Sequence, residues 1–89
     1  MKQNEALNRL ETLLQKCDRQ SYSSSILIVA PDTPTFTTLI KLREFLPEAL
    51  KKNFIQKITV AINGTNKRAS FPVHGKPDSL IVSPDYSNN

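Results

Sequence analysis

Tryptophan is absent from this chain, and cysteine, histidine and methionine occur once each. A single cysteine, Cys17, excludes an internal disulfide framework. Cys17 and His74 together are too few to build a zinc site from this chain alone. Glycine occurs twice, at Gly64 and Gly75, and no glycine-rich cofactor fingerprint is present. The six aromatics (Tyr22, Phe36, Phe45, Phe54, Phe71, Tyr86) are too few for a large aromatic ligand platform. No apolar run approaches the roughly 20 residues of a membrane helix, and no leader pattern opens the sequence. The expectation is an intracellular, cytoplasmic protein without membrane, metal or cofactor.

What remains is enough for one small domain. The 89 residues are 38% hydrophobic and 22% charged, close to ordinary globular usage. The net charge of +4 is unevenly placed. From Lys41 to Lys76 eight basic residues face only Glu44 and Glu48, and from Lys51 onward in that stretch there is no acid. Lys51, Lys52, Lys57, Lys67, Arg68 and Lys76 are therefore the candidate contacts for nucleic acid or an acidic protein partner. The same block also fits a solvated rim around a short strand pair.

Residues 4 to 19 show apolar positions at helical spacing. Leu7, Leu10, Leu14 and Cys17 form the stripe, and Ala6 and Leu13 widen it. Asn4 is the expected N-cap, and the polar run Gln20 to Ser25 ends the helix. Cys17 reads as a core thiol. The continuous apolar run Ile26 to Ala30 predicts a central strand buried on both faces. Thr33 with Pro34 predicts a helix start, and Phe36, Leu39, Ile40, Leu42, Phe45 and Leu46 give that helix a broad apolar face. Pro47 biases Leu46 away from helical dihedrals, which predicts a break there and a further short turn over Glu48 to Asn53.

Gln56 to Asn63 alternates in the manner of a strand with one buried face, Ile58, Val60 and Ile62 pointing inward. Strand, helix, strand at this spacing implies a parallel pair. Asn63-Gly64 predicts a two-residue hairpin returning Thr65 to Val73 antiparallel, with Pro72 confining that segment to a sheet edge. The glycosylation pattern Asn63-Gly64-Thr65 is absorbed by the same turn. Leu80 to Val82 predicts a last short strand, and residues 84–89 a polar tail. The expected fold is thus a single α/β domain over residues 1–83. Its order is α-β-α-β-(β)-β, with a three- or four-stranded sheet containing a parallel βαβ unit.

Chemistry is sparse. The loop Pro31 to Thr35 follows a central strand and opens a helix, a position where α/β sheets bind ligands. Asp32 would repel an anion there, and capping accounts for Thr33 and Pro34. His74 with Asp78 is the sole acid–base candidate, and no nucleophile is placed beside it.

With the segments in this order, the chain resembles a thioredoxin-like domain without redox chemistry. Ile26 to Ala30 stands for the central strand and Pro31 to Thr35 for the loop that carries the cysteine pair in that family. Lys57 to Ala61 is similar to the next parallel strand. Val73 to Pro77 with Ser79 to Val82 is similar to the segment holding the family's cis-proline, here Pro77. Thr33-Pro34 after the strand is closest to the KaiB-like adaptor branch, whose members work by binding partners. No Cys-x-x-Cys exists, so no redox residue carries over. Between Asn63 and Val73 there is too little chain for the family's usual helix.

From these readings the expected function is a small non-enzymatic protein-interaction module, an adaptor or regulator of a larger assembly. A homo-oligomer is a further expectation, since so small a domain gains burial by association. The alternative is a basic nucleic-acid-binding domain that uses the Lys51–Lys76 segment on phosphates.

Overall fold

The computed structural model describes residues 3–50, 55–73 and 81–83. Its elements run α1 (Gln3–Leu14), β1 (Asp18–Ser21), β2 (Ser25–Ala30), α2 (Thr33–Lys41), a 3-10 turn (Arg43–Phe45), α3 (Leu46–Leu50), β3 (Lys57–Ile62), β4 (Arg68–Pro72) and β5 (Ile81–Ser83). The strands form one five-stranded sheet in the order β1-β2-β3-β4-β5. The β2–β3 pair is parallel, from Ser25 opposite Lys57 to Ala30 opposite Ile62. All other pairs are antiparallel. The α/β class and the parallel βαβ unit are therefore as the residue pattern predicts, with one additional strand.

That additional strand is β1. Apolar spacing extends the first helix to residue 19, but the helix stops at Leu14 and the chain turns through Gln15 and Lys16. Tight bonds from the Lys16 and Cys17 amides to the Leu13 and Leu14 carbonyls close the turn. Asp18 to Ser21 then pairs with β2, Asp18 opposite Val29 and Ser21 opposite Ile26. The segment Asp-Arg-Gln-Ser has little strand preference of its own. Its conformation follows from the free edge of β2, a case of tertiary pairing overriding propensity. At the other end, α1 already includes Gln3, so Asn4 lies inside the helix and not at its cap.

The core lies between one layer of helices and one face of the sheet. Ile26, Ile28 and Ala30 on β2, Ile58, Val60 and Ile62 on β3, and Ala69 and Phe71 on β4 join Leu10 and Leu14 of α1 in it. Phe36 and Leu39 of α2, Leu46 and Leu50 of α3, and Ile55 complete the same cluster. Within α1, Ala6, Leu10 and Leu14 are buried at four-residue intervals, and Leu13 packs at the margin. The expectation that β2 is buried on both faces is corrected here. Its burial alternates, with Ile28 fully buried and Leu27 and Val29 only partly covered. The strand is interior by hydrogen bonding, but the helices contributing to the core all pack against its other face.

Two local signals act differently from their sequence reading. The N-cap of α2 is Asp32, not Thr33: its carboxylate accepts a 2.9 Å bond from the Thr35 amide. A carboxylate reaching the third helical amide satisfies a donor that the helix cannot, and Pro34 fits the first turn. Pro47 does not break the chain at Leu46, which is helical at φ −60° and ψ −43°. The break comes earlier, at Leu42, so that Pro47 falls in the first turn of α3, where its missing donor costs nothing.

The β3–β4 connection is longer than a two-residue hairpin. The Ile62 amide bonds the Lys67 carbonyl, which leaves residues 63–66 as the loop. Gly64 adopts φ 80°, with open space where a side chain would stand, so the dihedral alone selects glycine. Pro72 does not make β4 an edge, because β5 pairs along Arg68 to Ser70. Pro72 stands two residues beyond that ladder, where no donor is required.

These features generate two tests of the fold. Ile28→Asp places an unpaired carboxylate in the core at a cost of several kcal/mol, on the order of the whole stability of a domain this size. It is expected to abolish cooperative thermal unfolding. Val29→Thr, on the partly covered face, is expected to cost less than about 1 kcal/mol, because water still reaches the new hydroxyl. Equal damage from both would show that the two faces are buried alike. The Asp32 cap makes a pH prediction. Its hydrogen bonds to Thr35 hold the carboxyl below its ordinary range. Stability from the cap is then present above the unfolded carboxylate pKa and is lost as pH falls through the lower folded value. Asp32→Asn should keep the cap but flatten that acid limb of the melting profile, and Asp32→Ala should lower the melting temperature at neutral pH.

Candidate functional site

The strand registers lay out the sheet face opposite the helices as a grid. One row runs Asp18, Val29, Ala61, Arg68 across β1 to β4. The next runs Gln20, Leu27, Thr59, Ser70, and continues at the register position of Ile81 on β5. A third runs Ser25, Lys57, Pro72. Leu27, Val29, Thr59 and Ser70 are all partly exposed, and Asp18, Gln20, Lys57 and Arg68 are exposed. Thr59 and Ser70 are hydroxyl to hydroxyl at 3.1 Å, a cross-strand pair at the centre of the grid. The face is therefore a mixed surface with an apolar strip along β2, an acid on β1, and bases on β3 and β4. One aromatic stands at its corner: Tyr22 bonds through its amide to the Ser25 carbonyl at 2.8 Å, is exposed, and its hydroxyl donates to Gln20 at 2.9 Å.

Of the six basic candidates, the structure describes three. Lys51, Lys52 and Lys76 lie outside the described residues, as do His74, Pro77 and Asp78. Lys57 and Arg68 both belong to the open face, at opposite ends of it. Four residues of β3 separate their rows, about 13 Å of strand. Lys67 is turned to the other side: its ammonium sits 5.7 Å from the centre of the Phe36 ring in the helix layer. Neighbours along the chain, Lys67 and Arg68 thus serve opposite faces, as strand alternation requires. A continuous basic patch is not what the described lysines and arginine make.

Elsewhere the surface offers little chemistry. An open cleft of roughly 260 Å³ lies between α1, β1 and α3, lined by Glu11, Leu14, Gln15, Arg19, Ala49 and Leu50. It contains no nucleophile and is smaller than usual ligand pockets. No group of three or more potential metal ligands occurs among the described residues. Among them, too, no helix is long and apolar enough to cross a membrane. The Pro31–Thr35 loop keeps the role given by Asp32, which places a negative charge at the helix N-terminus.

Cys17 sits just past α1, half-buried against the core, and its thiol donates to the Leu13 carbonyl at 3.3 Å. Burial pushes its pKa up, against an opposing pull from Arg19. A raised pKa leaves little thiolate at neutral pH. Cys17 is accordingly expected to react slowly with a thiol reagent in the native protein and rapidly in denaturant. Fast native labelling would place it in an activated environment.

No protein-family model matches the chain, and no curated protein or solved structure is significantly similar to it.

Proposed function

We propose that this chain is a small non-enzymatic protein-interaction module, an adaptor or regulator within a larger assembly. The observation that supports this reading is the open sheet face. Five strands with helices packed on one side leave Leu27 and Val29 partly exposed beside Ala61 and Thr59. This strip of aliphatic and hydroxyl side chains has few charges at its centre and a polar rim, the composition of a protein-binding patch. The described residues there carry no acid–base pair or activated nucleophile. The thioredoxin-like, KaiB-branch resemblance points the same way, toward a domain that works by contact.

The nucleic-acid reading draws on one observation, that Lys57 and Arg68 share this face. Single-strand binders usually combine such charges with several stacking aromatics, and the described part of the face offers one, Tyr22, at its corner and already hydrogen-bonded to Gln20. The two readings separate in one experiment. Thr59→Arg puts a long cation at the centre of the grid, on a partly exposed position that tolerates it. The adaptor reading expects loss of a specific protein complex in affinity capture from the host, with melting unchanged. It also expects negligible DNA or RNA binding at about 150 mM salt. Micromolar binding to nucleic acid at that salt, abolished by Lys57→Glu with Arg68→Glu, would replace the adaptor reading with the alternative.

A further inference from the structure

We infer that the partner which fits the open sheet face is a second copy of this chain, packed face to face about a twofold axis. The inference rests on the reading of that face as a docking surface and names its occupant. Its basis is the order of residues across the grid. In an isologous pair, if residue i meets residue j, then j must meet i. Consider an axis between the two sheets, parallel to the strands and midway between β2 and β3. It lays β1 of one copy over β4 of the other, and β2 over β3.

Row by row, the contacts are then complementary. Asp18 and Arg68 share a row at opposite sides of the face, one on β1 and the other on β4. The axis brings Asp18 of each copy over Arg68 of the other, giving two equivalent ion pairs. In the same row Val29 meets Ala61, a larger side chain over a smaller one. In the next row Leu27 meets Thr59, and Gln20 meets Ser70. Lys57 meets Ser25, so no basic residue lies directly over another. Aligned sheets pack about 10 Å apart with their inner side chains interdigitated, a gap that an arginine and an aspartate together can bridge.

The size of the face sets the strength. Four strands at about 4.8 Å spacing and six residues at about 3.3 Å rise cover roughly 400 Å² per copy. Stable interfaces bury about 800 Å² per partner, so this pair is reversible and concentration-dependent. In so small an interface the two ion pairs fix orientation more than they add affinity, because like charges placed opposite each other are strongly disfavoured.

Sedimentation equilibrium on four samples tests this: wild type, Asp18→Arg, Arg68→Asp, and an equimolar mixture of the two variants. Wild type is expected to dimerise reversibly. Each variant alone sets like charges against each other twice and should weaken dimerisation by about tenfold or more. In the mixture, the chain with two arginines meets the chain with two aspartates, so a one-to-one heterodimer should form with affinity restored. Both side chains are exposed, so the variants should melt as the wild type does. Recovery in the mixture excludes misfolding as the cause of the loss. A wild type monomeric to its solubility limit, a dimer indifferent to both variants, or a loss without recovery in the mixture would each overturn the inference. A monomeric wild type that still loses a host complex through Thr59→Arg would overturn self-pairing alone and leave the adaptor reading standing.

Discussion

The parallel ladder between β2 and β3 is the constraint from which the rest of this architecture follows. A parallel pair cannot be closed by a tight turn, so the chain must leave Ala30, cross the sheet and return at Lys57. The crossover carries α2 and α3, whose Phe36, Leu39, Leu46 and Leu50 bury against Ile26, Ile28, Ile58 and Val60. That choice of side is made once for the whole molecule. Helix α1 completes the same layer by packing on α3 and α2. The outer strands then extend the sheet by antiparallel pairing, which requires no further crossover. A one-sided sandwich results among the described residues, whose helices all lie on one face of the sheet.

Strong periodic segments were legible before any coordinates. The alternation of Ile58, Val60 and Ile62 marks both the strand and its inward face, and the structure agrees. The run Ile26 to Ala30 marks the strand but overstates its burial, because Leu27 and Val29 look like core residues whichever way they point. Only the count of covering helices distinguishes the two faces, and that is a property of the assembled fold. β1 was illegible for a different reason. Asp18, Arg19, Gln20 and Ser21 are exposed, so no hydrophobic pattern betrays them, and their strand geometry is imposed by β2 alone. Capping shows the limit of short motifs: Asp32 and Thr33 are both good caps, and one residue of difference depends on where the helix dihedrals begin.

The candidate site was legible as composition and not as geometry. A stretch free of acids from Lys51 to Lys76 suggests one basic surface, yet strand alternation sends Lys67 to Phe36 and Arg68 to the opposite side. The acid that balances Arg68 across the open face, Asp18, lies far away in sequence, in the strand that no pattern revealed. Charge counted along the chain and charge arranged on a folded sheet are different quantities, and recognition depends on the second.

The strand order also determines how the chain must find its fold. β1 and β2 are joined by a few residues, and β3 and β4 by the loop that Gly64 turns. Each hairpin has local partners and needs little loop closure to form. The β2–β3 ladder joins them, and its partners stand far apart in sequence. Closing that long loop costs more chain entropy than closing either hairpin, and the contacts of the parallel ladder must offset it. A slip of one residue in that ladder would turn Lys57, Thr59 and Ala61 toward the core and Ile58, Val60 and Ile62 toward water. The aliphatic alternation of β3 therefore fixes the register of the parallel ladder, because any one-residue slip exposes the residues that the helices cover.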